Sequence, residues 1–178
     1  MAGQHEPELI RRAKAGDTLA YEDLRRPALA PAARLAAVLI GGNTAEAEDA
    51  VQEAAVRAWR RIGNLREDAL FEPWFLGIVV RQVRTLQAER WWGVVRLPEI
   101  IGGRSHPGDQ WLEGEDLRRA VARLPRGERE AIVMHFYLDL RLGDVGHALG
   151  LSVPAVKSRI NRGLKRLRAD VSAFEVLA

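Results

Sequence analysis

LPRGEREAIVMHFYLDLRLGDVGHALGLSVPAVKSRINRGLKRLR, residues 124–168, has the pattern of a helix-turn-helix. Gly150 suits the positive φ at the end of a short helix over residues 144–149, and Ser152 suits the cap of the next helix. Pro154 falls in the first turn of that second helix, where its missing N–H costs no hydrogen bond. The two helices are therefore predicted to meet at residues 150–152.

The second helix of this motif has an apolar side and a cationic side. At about 100° per residue, the side predicted to be buried comprises Val153, Val156, Ile160, Leu164 and Leu167. The opposite side carries Ser158, Asn161, Arg162 and Lys165, with Lys157 and Arg159 at its flanks, and is called the cationic face below. Between residues 151 and 170 the only acid is Asp170, although the whole chain has a formal net charge of just +3. The cations are thus concentrated on this helix.

A basic stretch on an amphipathic helix is often no more than a solvated face. Here the surrounding residues favour a DNA-binding motif. Gly146 is a small residue inside the first helix, and apolar side chains stand where two crossed helices must pack: Val145, Leu149, Val156 and Ile160. This coordinated pattern predicts duplex DNA as a partner.

Composition narrows the remaining possibilities. A chain of 178 residues that is 47% hydrophobic suits two small helical domains. The absence of cysteine excludes disulfides and thiolate metal sites, and the four histidines are far apart in sequence, so no metal or cofactor is predicted. No apolar run approaches the roughly 20 residues of a membrane span, and the start MAGQHEPE does not resemble a signal peptide. A cytoplasmic protein without membrane insertion is expected.

The N-terminal half predicts a compact four-helix unit. Its helical stretches cover residues 7–24 with a break at Gly16-Asp17, then 28–40, 45–62 and 71–91. The segment 28–40 is almost wholly apolar, which predicts the central buried helix of the unit. Asn43 followed by Glu46 is typical of a capping box and predicts the start of the third helix.

Residues 93–112 lack a helical period and contain several chain breakers, namely Pro98, Gly102, Gly103, Pro107 and Gly108. This segment is predicted to be a flexible linker between a first domain, residues 5–92, and a second domain, residues 113–171. The predicted fold class is therefore all-α, with two small helical domains.

The third helix carries an acidic stripe, which consists of Glu46, Asp49, Gln52 and Glu53 on one side. No nearby histidine, phosphate-binding loop or activated nucleophile accompanies these carboxylates, so an enzyme is not predicted. Two interpretations stay open. The acids can be solvated residues that favour the helix dipole, with Glu53 paired to Arg57, or they can form a docking face for a basic partner.

Four segments together carry a family resemblance. They are LIRRAKAGDTLAYEDL at 9–24, AEDAVQEAAVRAWRRI at 47–62, FEPWFLGIVVR at 71–81, and LPRGERE with GLSVPAVKSRINRGLKRLR in the region 124–168. In this order they closely resemble the extracytoplasmic-function (ECF) sigma factors of bacterial RNA polymerase. The resemblance spans nearly the whole chain and implies a factor that binds core polymerase and directs promoter-specific initiation.

For the first domain, the resemblance implies sigma region 2. Asp49, Gln52 and Glu53 match the helix that docks on the β′ clamp helices of core polymerase. The loop that captures a flipped base of the −10 element is matched by Asn64, Leu65, Arg66, Glu67 and Asp68. After Trp74 the chain lacks an Asn that many family members have. The resemblance therefore does not imply that this chain prefers the same −10 sequence as those members.

For the second domain, the resemblance implies sigma region 4, which binds the β flap and the −35 element. Lys157, Ser158, Asn161 and Arg162 match positions that enter the major groove, on the face that the helical projection exposes. Arg159, Lys165 and Arg166 are assigned to phosphate contacts. The family further implies an anti-sigma factor as a protein partner.

Two other functions remain as alternatives. A stand-alone helix-turn-helix regulator would form a dimer and bind a palindrome without polymerase, although it leaves the acidic stripe unexplained. A helical adaptor or enzyme whose basic helix binds acidic protein would show a shallow dependence of DNA binding on salt.

Overall fold

The computed structural model describes residues 6–66, 70–93 and 115–177. Every regular element in these ranges is helical, which confirms the predicted all-α class. Helices α1–α4 form one compact unit, and α5–α8 form a second. The predicted linker, 93–112, lies outside the described residues except for Gly93, so its flexibility stays a prediction. None of the described helices combines the length and the apolar character needed to cross a membrane.

The first unit contains α1 (Glu6–Lys14), α2 (Thr18–Ile40), α3 (Thr44–Arg61), a 3-10 turn (Ile62–Asn64) and α4 (Phe71–Gly93). Two predicted boundaries are confirmed by side-chain caps. The carboxylate of Asp17 accepts a 3.1 Å hydrogen bond from the N–H of Ala20 at the start of α2. The side chain of Asn43 accepts one of 3.2 Å from the N–H of Glu46 at the start of α3.

Helix α2 corrects the prediction of separate segments at 7–24 and 28–40. It runs without a break from Thr18 to Ile40 and contains both Pro27 and Pro31. Each proline removes one backbone hydrogen bond. Because the two prolines are four residues apart and neither is buried, the carbonyls that lose their donors lie on the outer side of the helix, where water can solvate them.

Helix α2, which contains the segment 28–40, packs against α1, α3 and α4, as predicted for the central helix, but the longest buried run of the unit lies in α4. Residues 75–80 of α4 are buried without interruption, whereas α2 alternates buried and half-buried positions. Helix α4 packs against both α2 and α3, and it is therefore covered on more than one side. Gln87 Nε2 also donates a 2.8 Å hydrogen bond to the Leu39 carbonyl, which attaches α4 to the end of α2.

An aromatic cluster joins three helices of this unit. The ring of Tyr21 on α2 lies 5.0 Å from Trp59 on α3 and 6.0 Å from Phe71 on α4, measured between ring centroids. The Tyr21 hydroxyl donates a buried 2.6 Å hydrogen bond to the carbonyl of Ala55. This contact satisfies the phenol while its ring fills the core.

Replacing Tyr21 with phenylalanine should lower the free energy of unfolding by about 1 to 2 kcal/mol at pH 7, because the Ala55 carbonyl loses its buried donor. Burial raises the pKa of Tyr21 to about 12, against roughly 10 in an unfolded chain. The folded state thus favours the neutral phenol, so its contribution is complete below pH 10 and is lost as the pH rises toward 12. Urea unfolding at pH 7, 9.5 and 11 tests this. The difference between wild type and Tyr21→Phe should shrink at pH 11, and a constant difference would contradict it.

The second unit contains α5 (Glu115–Arg123), α6 (Arg126–Ile132), a π-helical turn (Val133–Tyr137), α7 (Leu142–Leu149) and α8 (Val153–Leu177). Arg129 on α6 donates a 3.0 Å hydrogen bond from Nη1 to the carbonyl of Ala122 on α5. Burial is the main cause that lowers the pKa of Arg129. The Nδ1 atom of His135 lies 2.8 Å from the Leu140 carbonyl, a contact that links the π-helical turn to the segment before α7.

Candidate nucleic-acid interface

The turn between α7 and α8 has the predicted geometry. Gly150 adopts φ 68°, in the left-handed region, and the N–H of Leu151 donates a 2.8 Å hydrogen bond to the Gly146 carbonyl. The hydroxyl of Ser152 accepts a 3.4 Å hydrogen bond from the N–H of Ala155 and caps α8. A Cβ on Gly146 would lie only 2.7 Å from the Leu151 carbonyl oxygen, so this close turn depends on a glycine there.

The buried side of α8 differs from the prediction at its first residue. Val156, Ile160 and Leu167 are buried, and Leu164 is half-buried. Helical spacing places Val153 on this side as well, but Val153 is the first residue of α8 and is 39% exposed. Gly163 is buried instead, and a Cβ there would lie 2.4 Å from Ile132 Cδ1 on α6. A glycine therefore lets α8 approach α6 closely.

The cationic face of α8 points away from the core of the second unit. Its exposed residues are Lys157, Ser158, Asn161, Arg162 and Lys165, and Arg166 is exposed beside them. Arg159 is half-buried, and its guanidinium group lies against Gly127 of α6, where a Cβ would come within 2.7 Å of Nη1. The helix thus presents cations and hydrogen-bonding groups on one side, as a helix that enters a DNA groove must.

A buried carboxylate lies next to this face and was not predicted from the sequence. Oε1 of Glu128 lies 3.4 Å from Nε of Arg162, and Oε2 lies 3.1 Å from Nε of Arg166. Nη1 of Arg162 also donates a 2.8 Å hydrogen bond to the hydroxyl of Ser158. In the sequence, Glu128 looks like any acid in the first turn of a helix. Only the close approach of α6 and α8 reveals its contacts.

The acidic stripe lies on the outer side of α3. Asp49, Gln52 and Glu53 are exposed, and Glu46 is half-buried near the start of the helix. The predicted pair forms, with Arg57 Nε 3.1 Å from Glu53 Oε1. The opposite side of α3 is built from small buried residues, namely Ala47, Ala50, Val51, Ala54, Ala55 and Ala58. The stripe is therefore accessible on a helix whose position is fixed by its packing.

The loop after α3 is described only in part. Asn64 and Arg66 are exposed, whereas Glu67 and Asp68 lie outside the described residues. Leu65 does not share this exposure, because its side chain is only 1% exposed and belongs to the core. The side chain of Leu65 therefore anchors the loop, and the assignment of this residue to the −10 contact stays a prediction.

Arg61 and Arg84 repel the positive charge of Arg81, and these three residues of the first unit are called the arginine cluster. Burial lowers the pKa of Arg81, and the positive charges of Arg61 and Arg84 lower it further. Arg81 Nε also donates a 2.9 Å hydrogen bond to the Gly77 carbonyl one turn earlier in α4. Guanidinium groups that repel one another are stabilised by a bound anion such as phosphate. Arg61 lies at the end of α3, three residues before Asn64.

Among the residues that the structure describes, no group of three or more histidine and acidic side chains could hold a metal ion.

Two family profiles match this chain. The one described as Sigma-70 region 2 matches residues 20–93, which include α2, α3 and α4. The one described as Sigma-70, region 4 matches residues 114–167, which include the helix-turn-helix and the cationic face.

Similar proteins agree with these matches along most of the chain. The RNA polymerase sigma factor NccH of Alcaligenes xylosoxydans xylosoxydans is 28% identical over 94% of this chain and 95% of its own length. The ECF RNA polymerase sigma factor EcfG of Rhodopseudomonas palustris is 30% identical over 80% of each chain. CnrH, an RNA polymerase sigma factor of Cupriavidus metallidurans, has been solved in complex with the cytosolic domain of CnrY. That structure is 26% identical, covers 96% of this chain and 99% of its own, and has a TM-score of 0.69. The chain belongs to the extracytoplasmic-function subfamily of the sigma-70-type sigma factors of RNA polymerase.

Proposed function

We propose that this sigma factor binds core polymerase through an acidic helix in one unit and promoter DNA through a cationic helix in the other. The acidic stripe on α3 docks on core polymerase, and the cationic face of α8 reads the −35 element. The observation that carries this assignment is the exposure of opposite charges on helices whose other sides are buried. Most side chains of both surfaces are exposed, so each surface can contact a partner.

The residues of the cationic face have two roles in this proposal. Lys157, Ser158, Asn161 and Arg162 contact base edges in the major groove, because lysine, arginine and amide side chains can tell base pairs apart there. Arg159, Lys165 and Arg166 contact phosphates, which fix the position of the helix on DNA without reading sequence. The buried sides of both helices in the motif hold these groups in one orientation.

On the first unit, Asp49, Gln52 and Glu53 form the contact with the β′ clamp helices. Val56 follows one turn after Gln52 and is 46% exposed, so it adds an apolar contact beside the charges. Asn64 and Arg66, with Glu67 and Asp68, form the loop that captures a flipped base of the −10 element. Leu65 supports the loop from the core, and the cluster of Arg61, Arg81 and Arg84 supplies cations for the phosphates of the melted strand.

Further partners follow from the same assignment. The second unit binds the β flap, and an anti-sigma factor controls access to polymerase in the bacterial cytoplasm. The solved complex of the similar sigma factor CnrH with the cytosolic domain of CnrY supports a protein partner of this kind. The sigma factor needs no metal or cofactor and performs no catalysis of its own, since RNA synthesis belongs to core polymerase.

Run-off transcription with purified core polymerase tests the proposal. A library of genomic fragments is transcribed with core alone and with core plus this chain, and the start sites are mapped by sequencing. Discrete start sites that require the chain and share upstream elements at a fixed spacing are the expected result. A dimer that binds a palindrome tightly without polymerase, and gives no new start sites, would favour the stand-alone regulator instead.

A further inference from the structure

We propose that Glu128 is a positioning residue for DNA recognition, which holds the guanidinium groups of Arg162 and Arg166 in place on the cationic side of α8. This inference rests on the proposed reading of the −35 element by α8. It adds a residue on another helix that contacts no DNA itself. One carboxylate thereby orients both a candidate base contact and a candidate phosphate contact.

The geometry assigns one guanidinium group to each carboxylate oxygen. Arg162 Nε donates a 3.4 Å hydrogen bond to Oε1, whereas Arg166 Nε forms a 3.1 Å ion pair with Oε2 that lacks hydrogen-bond geometry. The Glu128 side chain is 9% exposed, whereas the two arginine side chains are 57% and 59% exposed. The carboxylate is thus inside, the cations reach outward, and Nε of each guanidinium group is the atom nearest to Glu128. Nη1 of Arg162 donates instead to the hydroxyl of Ser158.

Glu128 is fixed by its helix and by the helix it faces. Its N–H donates a 2.9 Å hydrogen bond to the Pro125 carbonyl in the first turn of α6, where a negative charge also favours the helix dipole. A Cβ on Gly163 would lie 3.4 Å from Glu128 Cβ, so the two helices are in close contact at this point. Gly163 lies between Arg162 and Arg166 in sequence. The side chain of Glu128 therefore begins at the point where α6 and α8 are in close contact.

This arrangement favours discrimination between DNA sequences in two ways. A long arginine side chain loses rotamer freedom when it binds a base, and that loss is smaller when a carboxylate has already restricted the side chain. The negative charge of Glu128 also reduces the attraction of this side of α8 for any phosphate backbone. Removing the charge should therefore weaken binding to the correct −35 sequence and strengthen binding to unrelated sequences.

The variant Glu128→Gln tests this, because it keeps the shape of the side chain and removes its charge. Holoenzyme is assembled from core polymerase and the full chain, and its affinity is measured for a promoter selected by wild type and for the same fragment with a scrambled −35 element. A bidentate arginine contact contributes enough that the ratio of the two affinities should fall about five- to tenfold. Binding to the scrambled fragment should stay the same or become stronger and should depend more steeply on salt.

Asp139→Asn is the matched control. Asp139 is exposed in the same unit, the substitution removes the same charge, and asparagine tolerates its φ of 53°. Its affinity ratio should equal that of wild type. If Glu128→Gln unfolds early in a thermal melt, Glu128→Asp replaces it, because this variant keeps the charge and shortens the reach of the carboxylate. It should lose part of the discrimination without a steeper dependence on salt.

Arg162→Ala separates the two hypotheses. If this variant keeps the full affinity ratio, α8 does not read the −35 element through Arg162, and that part of the proposed function fails. If Arg162→Ala loses discrimination while folded Glu128→Gln or Glu128→Asp keeps the wild-type ratio within about twofold, Glu128 has no positioning role. An equal loss of discrimination in Asp139→Asn would show that the effect comes from net charge, which would also overturn the inference.

Discussion

Asp49→Arg combined with Glu53→Arg is expected to abolish promoter-directed transcription while the first unit stays folded. Both side chains are exposed on α3, and a basic surface that attracts them would repel their replacements. Like charges placed across an interface cost several kcal/mol, so the affinity for core polymerase should fall about a hundredfold or more. Fluorescence anisotropy of the labelled chain with core polymerase measures the affinity, and run-off transcription measures the activity.

The fold should survive because the substitutions lie on the outer side of α3. The double variant loses the ion pair between Glu53 and Arg57, which at an exposed helical site contributes less than about 0.5 kcal/mol. Arginine near the start of the helix costs up to about 1 kcal/mol through the helix dipole. Far-ultraviolet circular dichroism and a thermal melt verify that the loss of activity does not come from unfolding.

A matched variant keeps the change in charge and moves it elsewhere in the same unit. Asp23 on α2 and Glu89 on α4 are both exposed, and Asp23 forms an ion pair with Arg26 much as Glu53 does with Arg57. Asp23→Arg combined with Glu89→Arg should keep most of the affinity for core polymerase. Equal losses in the two double variants would mean that net charge and not the acidic stripe controls docking.

The turns, helix caps and exposed faces that depend on local chemistry could be predicted from the sequence. The positive φ of Gly150 and the caps at Ser152 and Asn43 each follow from the conformational needs of one turn, and the structure has all three. The exposed cationic face was predictable for a similar reason, since helical spacing alone separates its residues from Val156 and Ile160.

The errors arose where tertiary packing overrides a local signal. Pro27 and Pro31 are strong helix breakers in isolation, yet α2 passes through both because its buried side packs against α3 and α4. The burial of Leu65 is likewise hidden in the sequence, because Asn64 and Arg66 beside it are exposed while its side chain fills the core. A residue's place in a matched segment does not tell which way its side chain points.

The contacts of Glu128 could not be predicted from the sequence for a different reason. Its partners, Arg162 and Arg166, are more than thirty residues away in sequence, and the contact exists only because Gly163 lets α8 approach α6. The residue spacing within α6 or within α8 does not indicate this contact. Contacts of this kind require the packing of two elements to be known before the side chains can be paired.

Lys157→Ala combined with Asn161→Ala is expected to remove the preference for the correct −35 element while polymerase binding persists. Both residues are exposed on the cationic face, four positions apart, and neither has a described contact with Glu128. Each contact to a base edge contributes about 1 to 3 kcal/mol of discrimination. The combined loss should therefore be about a hundredfold for holoenzyme on its own promoter and small on a scrambled −35 sequence. Competition binding of holoenzyme to the two fragments measures this preference directly.

Lys165→Ala provides the contrast, because Lys165 is assigned to a phosphate. Its loss should weaken binding to both fragments by a similar factor and reduce the slope of log affinity against log salt by about 1. The two variants thus separate the reading of bases from the contact with the DNA backbone on a single helix. If Lys157→Ala with Asn161→Ala weakened both fragments equally, these side chains would be backbone contacts, and the −35 sequence would have to be read by other residues of the second unit.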